Sequence, residues 1–206
     1  MPADGGVQHG SLGAEALIAA AAERGLRTKI GSFLFCRHGR TAGNATRSYQ
    51  RAEEPLDQDG HAQAARAAAL LAAGPAFARL HASDMARAWL TAGHVAAATG
   101  RAAIATPGLR ERAFTALVGT SSAGLDWRLD PPGCETLSGF VERTLAAAED
   151  ALSMDAPPCL VAHGGTLLVL AGALGVDLPP AWRTNALPLL FNVAPDGSWQ
   201  VAPLGD

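Results

Sequence analysis

The chain has 206 residues, a length that fits one domain with a small cap. Hydrophobic residues make up 49% of it and charged residues 17%, a balance that excludes a wholly disordered chain. The formal net charge of −3 gives no support to a basic binding surface, so we expect neither nucleic acid nor a membrane as a partner.

The predicted elements begin with residues 1 to 28, a Gly-rich start followed by a short helix, AEALIAAAAERG, that ends at Gly25. We interpret them as an N-terminal extension and residues 29 to 206 as the main domain. Strand and helix patterns then alternate, which predicts a three-layer α/β fold with a mainly parallel sheet. The strands lie near 30 to 36, 79 to 82, 103 to 106 and 158 to 162, and the helices near 60 to 73, 85 to 99, 135 to 153 and 165 to 174.

Two segments fall outside this alternation. The C-terminal stretch LPLLFNVAPDGSWQVAPL predicts two strands joined at Pro195, Asp196 and Gly197. Residues 107 to 134 are rich in Gly, Pro, Arg and acidic residues without clear periodicity, so they form either a loop-rich cap or an ordinary long connection. Loops of that length are uncommon without a function, which favours the cap.

The three cysteines, Cys36, Cys134 and Cys159, stand far apart with no CxxC spacing. This pattern predicts neither a zinc site nor a disulfide framework, and it fits a reducing compartment. The first residues lack a basic segment of the secretory type, and no apolar run approaches the roughly 18 residues of a membrane span. We therefore expect a soluble, cytoplasmic protein.

Two predicted strands end on the same pattern. SFLFCRHGRTAGN places Arg37 and His38 directly after an apolar strand, and PCLVAHGGTLL places His163, Gly164 and Gly165 after another. Glycines let backbone N–H groups approach a ligand, and the helix N-terminus that follows favours negative charge. One histidine after a strand is more often structural than catalytic, but two such ends favour a phosphate, with Gly164 among its contacts.

A third strand end supplies LHASDMARAWLTA, in which Arg87 stands near the start of a predicted helix. A solvent-exposed helix arginine is the alternative interpretation. Guanidinium groups match phosphate oxygens with a planar fork of donors, so Arg37 and Arg87 beside His38 and His163 would form a pocket for a dianion. The chain has no HExxH pattern and no GxxxxGK loop, so we expect neither a metal nor a nucleotide.

These motifs resemble those of the histidine phosphatase superfamily, the phosphoglycerate mutase-like enzymes, whose hallmark RHG is Arg37-His38-Gly39 here. The resemblance extends from residue 30 to about residue 204 and implies a phosphoglycerate mutase-like fold. The sequence departs from the family at Thr115, where glycine is common, and in residues 1 to 28. Six motifs occur in the family's order: FCRHGRTAGN, PLDQDGHAQA, ASDMARAWLTA, LRERAF, PPGCETL and VAHGGTLL.

The resemblance implies roles for individual residues. His38 would be the nucleophile and Glu111 the proton donor. The phosphate would be held by Arg37, Arg87 and His163. Asn44 and Gln50 match further polar contacts of the family.

Three charged residues near Glu111 receive a more modest interpretation. Glu135 stands where the family writes GES, which implies a structural position near the site. Arg110 and Arg112 flank Glu111, and we interpret them as surface or salt-bridge residues.

The implied chemistry is phosphoryl transfer through a phosphohistidine. Cationic donors stabilise the charge on the equatorial oxygens and lower the pKa of His38, which favours the neutral imidazole that attacks. Neither a metal nor an organic cofactor is implied. We therefore predict an enzyme that hydrolyses small phosphorylated metabolites, and the sequence leaves open whether it forms a homo-oligomer.

Two alternatives remain: a phosphoglycerate mutase of the same family, and a phosphate-binding protein that has lost turnover. Only about 50 positions separate Glu111 from His163. The resemblance implies that the family's mutases have a longer insertion between these two positions. Gln50 matches the phosphatase branch, although an ordinary polar loop residue is an equal interpretation. These features favour hydrolysis.

Overall fold

The computed structural model describes residues 12–153 and 155–205 and has the predicted three-layer α/β fold. The predicted Gly-rich start lies outside this range up to residue 11. Each helix in the range is too short or too polar to cross a membrane. The strands are β1 Ser32–Arg37, β2 Arg79–Ala82, β3 Ala103–Ala105, β4 Pro158–Ala162, β5 Pro188–Val193 and β6 Trp199–Pro203, and the α-helices are α1 Ala14–Arg24, α2 Ala42–Thr46, α3 Gln58–Ala73, α4 Ala86–Thr99, α5 Leu137–Ala151 and α6 Gly164–Leu174.

The sheet has the strand order β3-β2-β4-β1-β5-β6, in which the first four strands pair in parallel and β5 pairs antiparallel with both β1 and β6. This confirms the mainly parallel sheet and the two C-terminal strands. Because β4 lies between β2 and β1, all of its residues are buried, which explains its continuous apolar run. The sequence did not predict α2, a helix of five residues.

Side chains of β1 alternate between two hydrophobic cores, because successive residues of a strand point to opposite faces. Phe33 and Phe35 pack in the core that includes α1, α5 and α6, whereas Leu34 and Cys36 pack in the core that includes α3 and α4. With both faces covered by helices, the carboxyl ends of the strands are where polar side chains can meet a ligand.

The helix α1 is part of the first of these cores. Leu17 and Ala21 are fully buried, and the backbone of Ile18 lies so close to Gly172 in α6 that a Cβ at that glycine would overlap it. The predicted helix and its end at Gly25 are confirmed. The domain boundary at residue 28 stays a prediction, but α1 packs on the main domain rather than projecting from it.

Candidate active site

Three neighbouring strands, β1, β2 and β4, end within one residue of each other in the register of the sheet. A polar residue follows each strand: His38 after β1, Ser83 after β2 and His163 after β4. Backbone hydrogen bonds of 2.9 Å continue the ladder, from His38 N–H to the Ala162 carbonyl and from Ser83 N–H to the Val161 carbonyl. The two histidines predicted to converge are therefore neighbours, with 5.1 Å between their ring centroids.

His38 is buried and has one ring nitrogen committed to the backbone. Its Nδ1 lies 2.7 Å from the carbonyl oxygen of Gly39, which can only accept a hydrogen bond. In the neutral ring the proton is therefore on Nδ1, and the lone pair is on Nε2. The loop itself is fixed, because the Gly39 N–H donates to Thr91 Oγ1 of α4 at 3.0 Å.

The surroundings of His38 keep its imidazole neutral. Burial lowers the pKa of His38 well below its ordinary value of about 6.5, and the positive charges of Arg87 and Arg37 lower it further. The hydrogen bond to the Gly39 carbonyl acts in the opposite direction but is outweighed. The predicted effect of the cationic neighbours is confirmed, although burial is the larger cause.

Arg37 and Arg87 are held by backbone carbonyls. Nη1 of Arg37 donates to the Arg183 carbonyl at 2.6 Å, and Nη1 of Arg87 donates to the Arg51 carbonyl at 3.0 Å. The Nε groups of both are buried and have no hydrogen-bond partner among the described residues. Neither side chain forms a salt bridge within that part of the chain. Donors and positive charge thus remain for an anion, and the alternative of a solvent-exposed Arg87 is wrong, since its exposed fraction is 4%.

His163 is fully buried behind the nucleophile candidate. Its Nε2 lies 2.8 Å from Ser83 Oγ, while its Nδ1 has no partner in the described ranges. Burial lowers the pKa of His163 well below 6.5, with Arg87, His38 and Arg37 adding to the effect. If the Ser83 hydroxyl donates to Nε2, the ring proton is on Nδ1 and is free to bind an acceptor.

Glu111 is fixed at the first turn of α6. Its two carboxylate oxygens accept backbone hydrogen bonds from Arg112 at 3.0 Å and from Gly165 at 2.9 Å. A Cβ at Gly165 would overlap the Glu111 carboxylate and the ring of Trp127, so this position requires glycine. The second glycine of the HGG motif thus makes room for Glu111. Gly164 instead lies against the Arg37 guanidinium.

Asn44 and Gln50 border the site through shared contacts with Thr41. Oδ1 of Asn44 accepts from the Thr41 N–H at 3.2 Å, and Oε1 of Gln50 accepts from the Thr41 hydroxyl at 2.8 Å. The side-chain NH₂ groups of both are not used in the hydrogen bonds just described, so they are donors that a ligand can meet.

A cavity of about 830 Å³ opens beside these residues. Its lining includes Arg37, His38, Arg87, Glu111, Asn44 and Gln50, whereas His163 and Gly164 lie outside the lining. Much of the wall comes from residues 107 to 134, which contain only two short 3-10 turns in an otherwise irregular path. The limits of this cap stay a prediction. Thr115, the departure from the family pattern, is part of the same wall.

Sequence reasoning missed several residues that position the site. Ser83 contacts His163, and the Asn185 side chain donates to the His38 carbonyl at 2.9 Å. Thr91 accepts from the nucleophile loop and donates to the Arg87 carbonyl at 2.8 Å. Ser83 and Thr91 both fall within LHASDMARAWLTA, one before and one a helical turn after Arg87, and that spacing was the available signal.

No group of three or more His, Cys, Asp or Glu side chains within residues 12–153 and 155–205 is arranged to hold a metal ion. The site described above is built instead from two histidines, two buried arginines and one glutamate. This fold is that of phosphoglycerate mutase-like proteins.

The chain belongs to the histidine phosphatase superfamily, branch 1, whose family model matches residues 33–193. The resemblance found in the sequence is thereby confirmed. A search of the curated proteins gave no significant match.

Several solved structures are similar to this chain. A phosphoglycerate mutase from Thermus thermophilus is 30% identical, with a TM-score of 0.65 over 85% of this chain and 99% of that one. A mycobacterial glucosyl-3-phosphoglycerate phosphatase, solved with VO3, is 27% identical, with a TM-score of 0.64 over 84% and 97%. A protein described as mycobacterial hydrolase 1 is 26% identical, with a TM-score of 0.63 over the same shares.

Proposed function

We propose that this protein is a phosphomonoester hydrolase that forms a phosphohistidine on His38. The observation that carries the proposal is the pairing of a neutral, buried His38 with Arg37 and Arg87, whose guanidinium groups have no carboxylate partner in the described part of the chain. A nucleophile next to two cationic forks suits a phosphoryl group, because its three equatorial oxygens carry the charge.

In the first step, Nε2 of His38 attacks phosphorus. A P–N bond forms, the bond from phosphorus to the ester oxygen breaks, and protonated Glu111 gives its proton to the departing oxygen. In the second step, Glu111 takes a proton from water, whose oxygen attacks phosphorus. The P–N bond breaks, inorganic phosphate leaves and His38 recovers its lone pair.

The other residues act on the phosphoryl oxygens. Arg37 and Arg87 donate through N–H groups that are already fixed in place, so they stabilise the transition state without rearrangement. His163 donates from Nδ1 while Ser83 holds its opposite nitrogen. Asn44 and Gln50 add amide donors, and Gly164 supports Arg37 from the backbone side.

A mutase is the second candidate, supported by the 30% identity with the phosphoglycerate mutase. Both reactions use the same histidine and differ in the acceptor of the phosphoryl group. The similarity to the glucosyl-3-phosphoglycerate phosphatase supports hydrolysis. We further propose that turnover needs no metal and that the protein acts in the cytoplasm on small phosphorylated metabolites.

The test is a phosphate-release assay in EDTA with a panel of phosphomonoesters. It includes 3-phosphoglycerate with a bisphosphoglycerate primer, followed by phosphorus NMR. We expect inorganic phosphate from at least some esters and little 2-phosphoglycerate. Efficient interconversion of the phosphoglycerates without phosphate release would make the protein a mutase, and binding of phosphate without any turnover would make it a binding protein.

A further inference from the structure

The cavity beside His38 has a wall of apolar side chains that the chemistry above does not use. It is formed by six residues, which we call the apolar wall: Tyr49, Met85, Phe114, Val118, Leu125 and Trp127. The aromatic members contact one another, with ring centroids 5.0 Å apart for Tyr49 and Phe114 and 6.0 Å apart for Phe114 and Trp127. An apolar surface of this kind binds apolar groups by removing them from water.

Packing within the protein holds the apolar wall in place. Phe114 and Trp127 are 8% and 4% exposed, and Trp127 also stacks on Phe140 with 6.1 Å between centroids. Phe114 is held in addition by the Arg112 guanidinium, which lies 4.9 Å from its ring centroid. A preformed wall loses little side-chain entropy when a ligand binds.

Beyond Arg37 and Arg87, three of the four arginines that line the cavity are already neutralised. Arg110 pairs with Asp84 at 2.6 Å, Arg112 with Asp130 at 2.5 Å and Arg143 with Glu135 at 2.8 Å. The fourth of these arginines, Arg51, has no salt bridge among the described residues. It is exposed, so water screens its charge. A second anionic group on the substrate therefore meets no buried, unpaired cation here.

We propose that the preferred substrates are phosphomonoesters of apolar alcohols, whose alkyl or arylalkyl group packs on the apolar wall. This inference rests on the proposed hydrolase function. A cavity of about 830 Å³ has room for such a group in addition to the phosphate, whereas a short, doubly anionic ester such as phosphoglycerate would leave the wall in contact with water.

The experiment compares kcat/KM for ethyl, butyl and hexyl phosphate. Their leaving alcohols have nearly the same proton affinity, so differences report burial of the chain rather than departure of the oxygen. Each methylene buried on the wall should raise kcat/KM roughly fourfold, and hexyl phosphate, with four more methylenes, should exceed ethyl phosphate by up to about 250-fold. 3-Phosphoglycerate should be poorer than hexyl phosphate.

Two variants test whether the apolar wall is the cause. Val118→Thr keeps the shape and replaces a methyl group with a hydroxyl. Leu125→Asp places a charge on the wall. Both should lower the ratio of kcat/KM for hexyl phosphate to kcat/KM for ethyl phosphate. Leu129→Asp is the matched control, because Leu129 belongs to the same segment, is 59% exposed and does not line the cavity. For Leu129→Asp, the ratio of the two kcat/KM values should equal that of the unaltered protein. Thermal unfolding identifies any variant that fails to fold. If Leu125→Asp does not fold, Val118→Thr alone tests the apolar wall.

The outcomes separate this inference from the hydrolase proposal. A rise of kcat/KM with chain length that Val118→Thr reduces and Leu129→Asp does not would support the apolar wall as the binding surface. Phosphate release at equal kcat/KM from all three alkyl esters, or a preference for 3-phosphoglycerate, would overturn the inference and leave the hydrolase proposal standing. Absence of release from every ester would overturn the hydrolase proposal and the inference with it.

Discussion

Arg110 and Arg112 stand two positions apart and lie in opposite environments. The Arg112 side chain is 0% exposed and donates to the carbonyls of Trp127, Leu129 and Glu135 as well as to Asp130, which ties distant parts of the cap to each other and to the residue that follows it. The Arg110 side chain is half-exposed and binds Asp84 in a bidentate pair. The interpretation of both as surface or salt-bridge residues is confirmed, because Arg110 pairs with Asp84 and Arg112 pairs with Asp130, although the Arg112 side chain is buried.

This contrast predicts unequal effects on stability. Arg112→Met leaves three carbonyls without their donor and should lower the free energy of unfolding by at least about 3 kcal/mol. Arg110→Met removes an exposed pair and should cost about 1 kcal/mol or less. Chemical denaturation of the two variants measures both values, and similar losses would contradict the assigned role of Arg112 in holding the cap.

Most of the fold could be predicted because its signals are local. The strand at 79 to 82 and the strand at 158 to 162 match β2 and β4 to the residue, and β4 is an apolar run of the kind that defines a buried strand. The helix that ends at Gly25 was also correct, because glycine accepts the positive φ of 67° at that position. The helix α2 was missed, since five residues show no periodicity.

The site was predictable at strand ends but not where it depends on distant contacts. His38 and His163 were found because each follows an apolar strand. The burial of Arg112 depends on carbonyls 15 and 17 positions away, and the support of His38 by Asn185 spans 147 positions. Such contacts form only when the cap and the loops fold against each other, so no local sequence pattern predicts them.

The buried environment of His38 predicts an unusual titration. Because its pKa is lowered by burial, Arg87 and Arg37, the ring stays neutral as the pH falls through 6.5 and is protonated only at a lower pH. Protonated His38 cannot attack, so the acid limb of kcat/KM should lie below pH 6.5. NMR titration of the imidazole Cε1–H signal, assigned by its loss in His38→Ala, measures the pKa directly. A value at or above 6.5 would contradict the described surroundings.

The role of Glu111 predicts a dependence on the leaving group. Glu111→Gln removes the transferable proton and should slow hydrolysis of alkyl phosphates by about 10²- to 10⁴-fold. Nitrophenyl phosphate needs little protonation of its leaving group, so its first step should be nearly spared. The values of kcat/KM on both substrates, which report the first phosphoryl transfer and not the later hydrolysis of the phosphoenzyme, measure the difference. Equal losses would instead assign Glu111 to positioning, through its hydrogen bonds to the Arg112 and Gly165 N–H groups.

The most direct test of the account is the phosphoenzyme itself. Protein mixed with a ³²P-labelled phosphomonoester in EDTA and quenched within the first turnover should carry label that is stable in base and lost in acid, as expected for a P–N bond. His38→Ala should abolish both this label and turnover, whereas His61→Ala, which replaces an exposed histidine of α3 outside the cavity lining, should retain both. Undiminished labelling and turnover in His38→Ala would contradict the central claim that His38 is the nucleophile.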